Sequence, residues 1–341
     1  MSVVGQAELL EADAPEREFA VYVRDLVKRY GEVEAVAGIS FEVGQGELFG
    51  FLGPNGAGKS TTISILCTLV RPTAGLAYVG GHDVVGERNA VRRQIGLVFQ
   101  DQTLDGYLTA EQNLRLHAEL YGMDRAQIPG RIEEVLKMME LWERRRSLVN
   151  TFSGGMRRRL EIARGLLHSP RVLFLDEPTV GLDPQTRTSI WEYIRRLEAE
   201  EEITIFLTTH YMDEAEYCNR IAIMDHGRIV ALDTPDRLKA SVGKDRVQLA
   251  TADDRRAIAE IKERFGIEAR LAEGKVTLAV PHGEQFVPRL VAELGVEIRS
   301  ISVSRPSLDD VFMAYTGRTI RDTEASAVED LRRRATMWGR R

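Results

Sequence analysis

From Ala20 to about Lys239, short apolar runs alternate with longer stretches of helical apolar spacing, and turn residues punctuate them. That alternation predicts an α/β domain with a mainly parallel sheet. Glu47 to Leu52, Gln94 to Phe99, Val172 to Leu175 and Ile203 to Thr208 are the candidate buried strands. Ile221 to Met224 and Arg228 to Leu232 flank Asp225-His226-Gly227, a three-residue connection whose glycine can take the positive φ of a hairpin turn. An antiparallel addition to the sheet is expected there. Between Gln100 and Thr151 the strands stop. Ala110 to Tyr121 and Arg131 to Leu141 carry helical spacing with charged outer faces, which predicts a helical subdomain at about residues 101–160.

After Gly243 the pattern becomes strand (Arg246 to Leu249), helix (Asp253 to Phe265), hairpin (Ile267 to Val280), helix (Glu284 to Leu294) and strand (Val296 to Val303). This is the split βαβ order of a small α+β domain. A last helix follows Pro306, with Ser307 and Asp310 at capping-box spacing and Gly317 as its stop. Val311, Phe312 and Tyr315 on that helix are expected to form an apolar face. The predicted organisation is an acidic arm at 1–19, a main domain at 20–242, the α+β domain at 243–317 and a charged tail at 318–341, expected to extend as a loose helix.

Composition narrows the function. In 341 residues, 46 Lys+Arg against 52 Asp+Glu leave a net charge of −6, so no broad basic field is available to nucleic acid, which is not an expected partner. Only Cys67 and Cys218 are present, without metal or redox spacing, which fits a reducing compartment. The arm lacks the basic start and apolar core of a secretory signal. No apolar run approaches the about 18 residues of a membrane span, so another chain must supply any pore.

Gly53-Pro54-Asn55-Gly56-Ala57-Gly58-Lys59-Ser60 follows a candidate strand and, with Thr61, opens a helical run, as a phosphate loop must. Its glycines let backbone N–H groups converge on phosphate oxygens, Lys59 reaches the β and γ phosphates, and Ser60 ligates Mg²⁺. Val172-Leu-Phe-Leu-Asp176-Glu177 is an apolar strand ending in two carboxylates at the same sheet edge. Asp176 is expected to hold Mg²⁺ through a water and Glu177 to polarise the attacking water.

Phe152-Ser153-Gly154-Gly155-Met156, leading into the basic helical run Arg157 to His168, resembles the ABC ATPase signature, usually Leu-Ser-Gly-Gly-Gln. The resemblance implies a P-loop NTPase fold with a mainly parallel core sheet, antiparallel strands and a helical subdomain. It further implies that Tyr30 stacks on adenine, that Gln100 is the lid glutamine touching Mg²⁺ or its water, that Asp183 crosses a dimer interface and that His210 contacts the γ phosphate. Met156 and Phe152 depart from the usual residues, leaving Ser153, Gly154 and Gly155 to carry the phosphate contact. With the later Arg305-Pro-Ser-Leu-Asp-Asp-Val-Phe, the sequence is similar to the daunorubicin-resistance-type branch, whose members resemble ABC-2-type exporters of drugs or lipids. One phosphate loop and one signature per chain imply a homodimer that closes on ATP and Mg²⁺, at the cytoplasmic face of a membrane beside a separate ABC-2-type permease. A soluble ABC protein acting on ribosomes or DNA, and an importer subunit, are the alternatives.

Overall fold

A computed structural model describes residues 19–201, 203–272 and 274–317 of the chain. The expected arm (apart from Phe19) and the expected tail therefore lie outside the described residues. The chain divides into two compact units, with the change at Leu232 and Asp233.

The first unit runs β1 (Phe19–Tyr30), β2 (Val33–Gly44), β3 (Leu48–Leu52), α1 (Lys59–Leu66), β4 (Ala74–Val79), β5 (His82–Asp83), α2 (Arg88–Gln94), β6 (Ile95–Val98), α3 (Ala110–Leu120), α4 (Ile128–Met138), α5 (Gly154–Leu166), β7 (Val172–Asp176), α6 (Pro184–Glu201), β8 (Thr204–Thr209), α7 (Met212–Ala215), β9 (Arg220–Asp225) and β10 (Arg228–Asp233). Its main sheet has the order β10-β9-β3-β8-β7-β6. The pairs β9-β3, β3-β8, β8-β7 and β7-β6 are parallel. Every residue of β3, β7 and β8 is buried, which explains why these strands are continuous apolar runs without alternation. The connection between β9 and β10 is two residues, not three: His226 (φ 46°) and Gly227 (φ 74°) both adopt the left-handed conformation a tight hairpin demands.

A second, antiparallel sheet of order β2-β1-β4-β5 packs on the first. Phe41 of β2 sits between them, with ring centroids 5.7 Å from Phe49, 5.0 Å from Phe51 and 6.0 Å from Phe206. The helical subdomain is present. Thr109 and Gln112 form a capping box at the start of α3. α4 begins three residues before the expected Arg131, because Pro129 is tolerated in a first turn whose N–H groups have no helical partner anyway.

The second unit comprises α8 (Pro235–Val242), β11 (Asp245–Thr251), α9 (Asp254–Phe265), β12 (Ala269–Ala272), β13 (Lys275–Val280), α10 (Gly283–Glu293), β14 (Ile298–Ser304) and α11 (Leu308–Thr316). Its antiparallel sheet of order β12-β13-β11-β14 carries a core that includes Val247, Leu249, Ile261, Leu278 and Leu290. The Ser307–Asp310 capping box and a left-handed Gly317 bound α11. α8, which the sequence reading assigned to the end of the first domain, packs on α11 within the second unit. Val311 and Phe312 are fully buried, so they are not an outer apolar face; Tyr315 is half exposed. Among the described residues, no helix is long and apolar enough to cross a membrane.

Candidate active site

The loop Gly53–Gly58 leaves the C-terminal end of β3 and turns into α1. Two glycines are required by close approach: a Cβ on Gly53 would lie 2.3 Å from Met224 O, and one on Gly58, at φ 105°, 2.4 Å from Ala35 O. The loop is braced from outside by the β9–β10 turn, where Gly227 N donates to Ala57 O at 2.9 Å and Gly227 O accepts from Ala37 N at 2.8 Å. The N-cap of α1 is Gly58, with no side-chain cap and no acidic residue in the first turn. The helix start therefore presents its donors and positive dipole end to whatever anion the loop receives. Asn55, Gly56 and Ser60 are exposed, Thr61 half-buried, and Pro54, Ala57 and Lys59 buried.

Lys59 folds back over the loop, with Nζ donating to Gly53 O at 2.6 Å and Pro54 O at 3.1 Å. It lies 3.4 Å from Glu177 Oε1, and His210 Nδ1 approaches the same oxygen to 3.3 Å. Burial alone would raise the Glu177 carboxyl, but the His210 hydrogen bond and the Lys59 charge outweigh it and hold its pKa below the ordinary value. Asp176 is fixed beside α1: its Oδ1 accepts from Ser60 Oγ at 3.1 Å and from Thr208 Oγ1 at 2.5 Å. Thr208 Oγ1 also accepts from Glu177 N at 3.0 Å, so one hydroxyl of the intervening strand β8 aligns both acids. A hydroxyl against a carboxylate is an oxygen donor set that suits a hard divalent cation.

The remaining sequence-chosen residues stand apart from this cluster. Tyr30 ends β1, half exposed, with Lys28 Nζ 4.7 Å from its ring centroid. Gln100 is exposed just beyond β6. Ser153 is exposed and caps α5, its Oγ accepting from Met156 N at 3.2 Å. Gly154 and Gly155 follow it, and a Cβ on Gly155 would lie 2.4 Å from Thr186 Cγ2. Asp183 accepts from Thr186 Oγ1 at 2.6 Å and Thr186 N at 3.0 Å, bonds that lower its pKa.

Sequence reasoning missed three supports. Thr208 is one. Glu214, almost fully buried, accepts from Thr179 Oγ1 and, at 2.6 Å, from Thr209 Oγ1, joining the segment after Glu177 to the one before His210. Arg158 on α5, also buried, reaches the ends of both β6 and β7.

Residues 36–180 match the family model described as ABC transporter, and residues 234–316 the one described as ATP-binding protein DrrA1-3-like, C-terminal domain. The chain is 40% identical to the daunorubicin resistance ATP-binding protein DrrA2 of Streptomyces coeruleorubidus, over 90% of this chain and 98% of that one. It is 39% identical to the linearmycin resistance ATP-binding protein LnrL of Bacillus subtilis (strain 168), over 87% of this chain and 98% of that one. The dimeric post-hydrolysis structure of the ATP-binding cassette MJ0796, bound to ADP and Pi, is 30% identical, with a TM-score of 0.57 covering 63% of this chain and 98% of that one. A phosphate loop facing paired carboxylates, in a chain alike along nine tenths of its length to such proteins, belongs to the ABC transporter ATP-binding subunits, ATPases, and within them to the daunorubicin-resistance type.

Proposed function

We propose that the chain drives export of a drug, lipid or similar molecule through a separate ABC-2-type permease, by closing as a homodimer on Mg-ATP and opening after hydrolysis, at the cytoplasmic face of the membrane. The substrate triphosphate lies along Gly53–Thr61, with Lys59 on its β and γ phosphates and Tyr30 on the adenine. Ser60 would hold Mg²⁺ directly, Asp176 through a water, and Gln100 would touch the ion or its water; the metal would neutralise phosphate charge. Glu177 orients the attacking water, and His210 meets the γ phosphate. Ser153, Gly154 and Gly155 of a second copy close the site, with Asp183 at the interface. One observation carries this reading: Lys59 and His210 converge on one carboxylate oxygen of Glu177, whereas Ser153 of the same chain opens α5 toward solvent. A site so divided is completed by another molecule. The resistance proteins among the relatives support export, and the net charge of −6 weighs against nucleic acid.

The test is Glu177→Gln. Hydrolysis should fall by about 10² or more while ATP affinity survives, and the variant should elute as a dimer with ATP but not with ADP. Adding Ser153→Arg should abolish that dimer. Wild-type turnover in Glu177→Gln, or undiminished ATP-dependent dimerisation of the double variant, would contradict the composite site. Membrane pull-down of the wild-type chain should bring with it a polytopic protein.

A further inference from the structure

Arg158 is 6% exposed, yet all five guanidinium N–H groups have an acceptor. Nε donates to Pro178 O at 2.6 Å. One terminal nitrogen donates to Phe99 O at 2.5 Å and Glu161 Oε2 at 2.9 Å, the other to Asp176 O at 3.2 Å and Glu177 O at 3.4 Å. The side chain thus closes the ends of two neighbouring parallel strands, β6 and β7, where their ladder stops. Its counter-ion is shared with the next loop: Glu161 Oε1 accepts from Thr103 N at 2.9 Å, and Arg164 donates to Thr103 Oγ1 at 2.6 Å. Arg158, Glu161 and Arg164 are all buried, at i, i+3 and i+6 on one face of α5.

Two features separate this arrangement from ordinary core packing. A buried ion pair is poor value as a stabiliser, since apolar residues of similar volume often serve as well. Moreover, the carbonyls it gathers belong to the segment that presents Glu177. Glu177 has φ 46°, a conformation costly for a non-glycine residue, which persists where surrounding bonds over-determine it. Here Thr208 holds its N–H and Arg158 its carbonyl.

We propose that Arg158 is a positioning residue for ATP hydrolysis, fixing the strained backbone from which Glu177 projects and tying it, through Phe99, Glu161 and Thr103, to the loop that carries Gln100. The proposal rests on Glu177 being the group that orients water. Arg158 then acts through Glu177 and leaves the phosphate loop alone. Phe99, Thr103 and Arg164 also line a groove of about 350 Å³ with Leu69, Leu97 and Tyr121, so α5 carries both Arg158 and part of the groove wall.

The experiment compares Arg158→Gln, Arg158→Lys, Glu161→Gln and Glu177→Gln in the full-length chain. Misplacing Glu177 should lower kcat in Arg158→Gln by about 10²-fold, with KM for ATP within about threefold of wild type. Arg158→Lys restores the charge but not the fork and should recover little of the rate. Glu161→Gln keeps the side chain's shape and one of its two accepting oxygens while removing the charge; it is the gentler variant, expected to lose about three- to tenfold in kcat at unchanged KM. In single turnovers, Arg158→Gln placed on Glu177→Gln should add almost no further loss, because both act on one group. Wild-type kcat in Arg158→Gln beside an inactive Glu177→Gln overturns the proposal alone. So does a multiplicative loss in the double variant, or a loss of ATP affinity matching the loss of rate. Should Arg158→Gln not fold, wild-type kcat in Glu161→Gln overturns it. Wild-type turnover in Glu177→Gln overturns the reading on which it rests.

Discussion

Lys59 and Glu177 form a nearly buried ion pair, 3.4 Å apart, at the mouth of the phosphate loop. Each is therefore the other's counter-charge in this structure, and on the proposed reading a γ phosphate entering the loop would compete with Glu177 for the ammonium. Nucleotide arrival and the release of the carboxylate toward water would then be one electrostatic exchange.

Lys59→Ala removes one side of that exchange. ATP binding should weaken and turnover should be lost, since on the proposed reading Lys59 supplies the ammonium that meets the β and γ phosphates. The variant also leaves Glu177 buried without its ammonium, so its carboxyl should titrate higher than in wild type. Nucleotide titration and phosphate release measure the first, and the pH dependence of unfolding the second. Wild-type ATPase activity would sink the phosphate-loop assignment.

The acid limb of stability should have two parts. Burial and the nearby Arg164 push His117 down from 6.5 to about 4, so below about 6.5 the unfolded chain takes up a proton that the folded chain refuses. Stability drains as pH falls through that window. Glu177, lowered from 4.5, adds stability that is complete above 4.5 and disappears as pH falls through its folded value. Both slopes have the same sign, in successive windows. Denaturant midpoints at a series of pH values should show His117→Gln flattening the upper part and Glu177→Gln the lower. A His117→Gln profile parallel to wild type between pH 6.5 and 4 would contradict the first assignment.

Phe312 is fully buried on α11, the helix that packs on α8. Phe312→Ala should cost the second unit about 3–5 kcal/mol. It should appear as an earlier unfolding transition while nucleotide binding, for which the proposed residues all lie in the first unit, is retained. An unchanged transition would mean that α11 contributes little to that unit.

What the sequence disclosed follows from how each element is buried. β3, β7 and β8, buried on both faces, write themselves as unbroken apolar runs, and the loops after them carry Gly53–Ser60 and Asp176-Glu177 in plain view. The antiparallel sheet is different. β1 and β2 mix exposed Arg24, Asp25 and Glu42 with buried neighbours, and a register shift between Val23 and Leu26, with Asp25 at φ 49°, breaks the alternation. Arg158 is harder still, because Arg157, Arg158 and Arg159 are identical letters. Arg159 reaches Met139 O and Tyr193, while Arg158 turns inward. The available signal was Glu161 at i+3 and Arg164 at i+6, a charge pattern repeating on the helix face that the apolar residues claim.

The turn at His226-Gly227 extends the reach of the proposed nucleotide site. The Gly227 N–H and carbonyl bridge Ala57 to Ala37, and a Cβ there would lie 3.0 Å from Ala35 O. In a genetic screen for lost transport, substitutions at this hairpin tip would cluster with those of the phosphate loop, although more than a hundred and sixty positions separate Gly227 from Gly58 along the chain. A map of intolerance drawn from sequence distance would call it a second functional region, whereas it is the outer wall of the first.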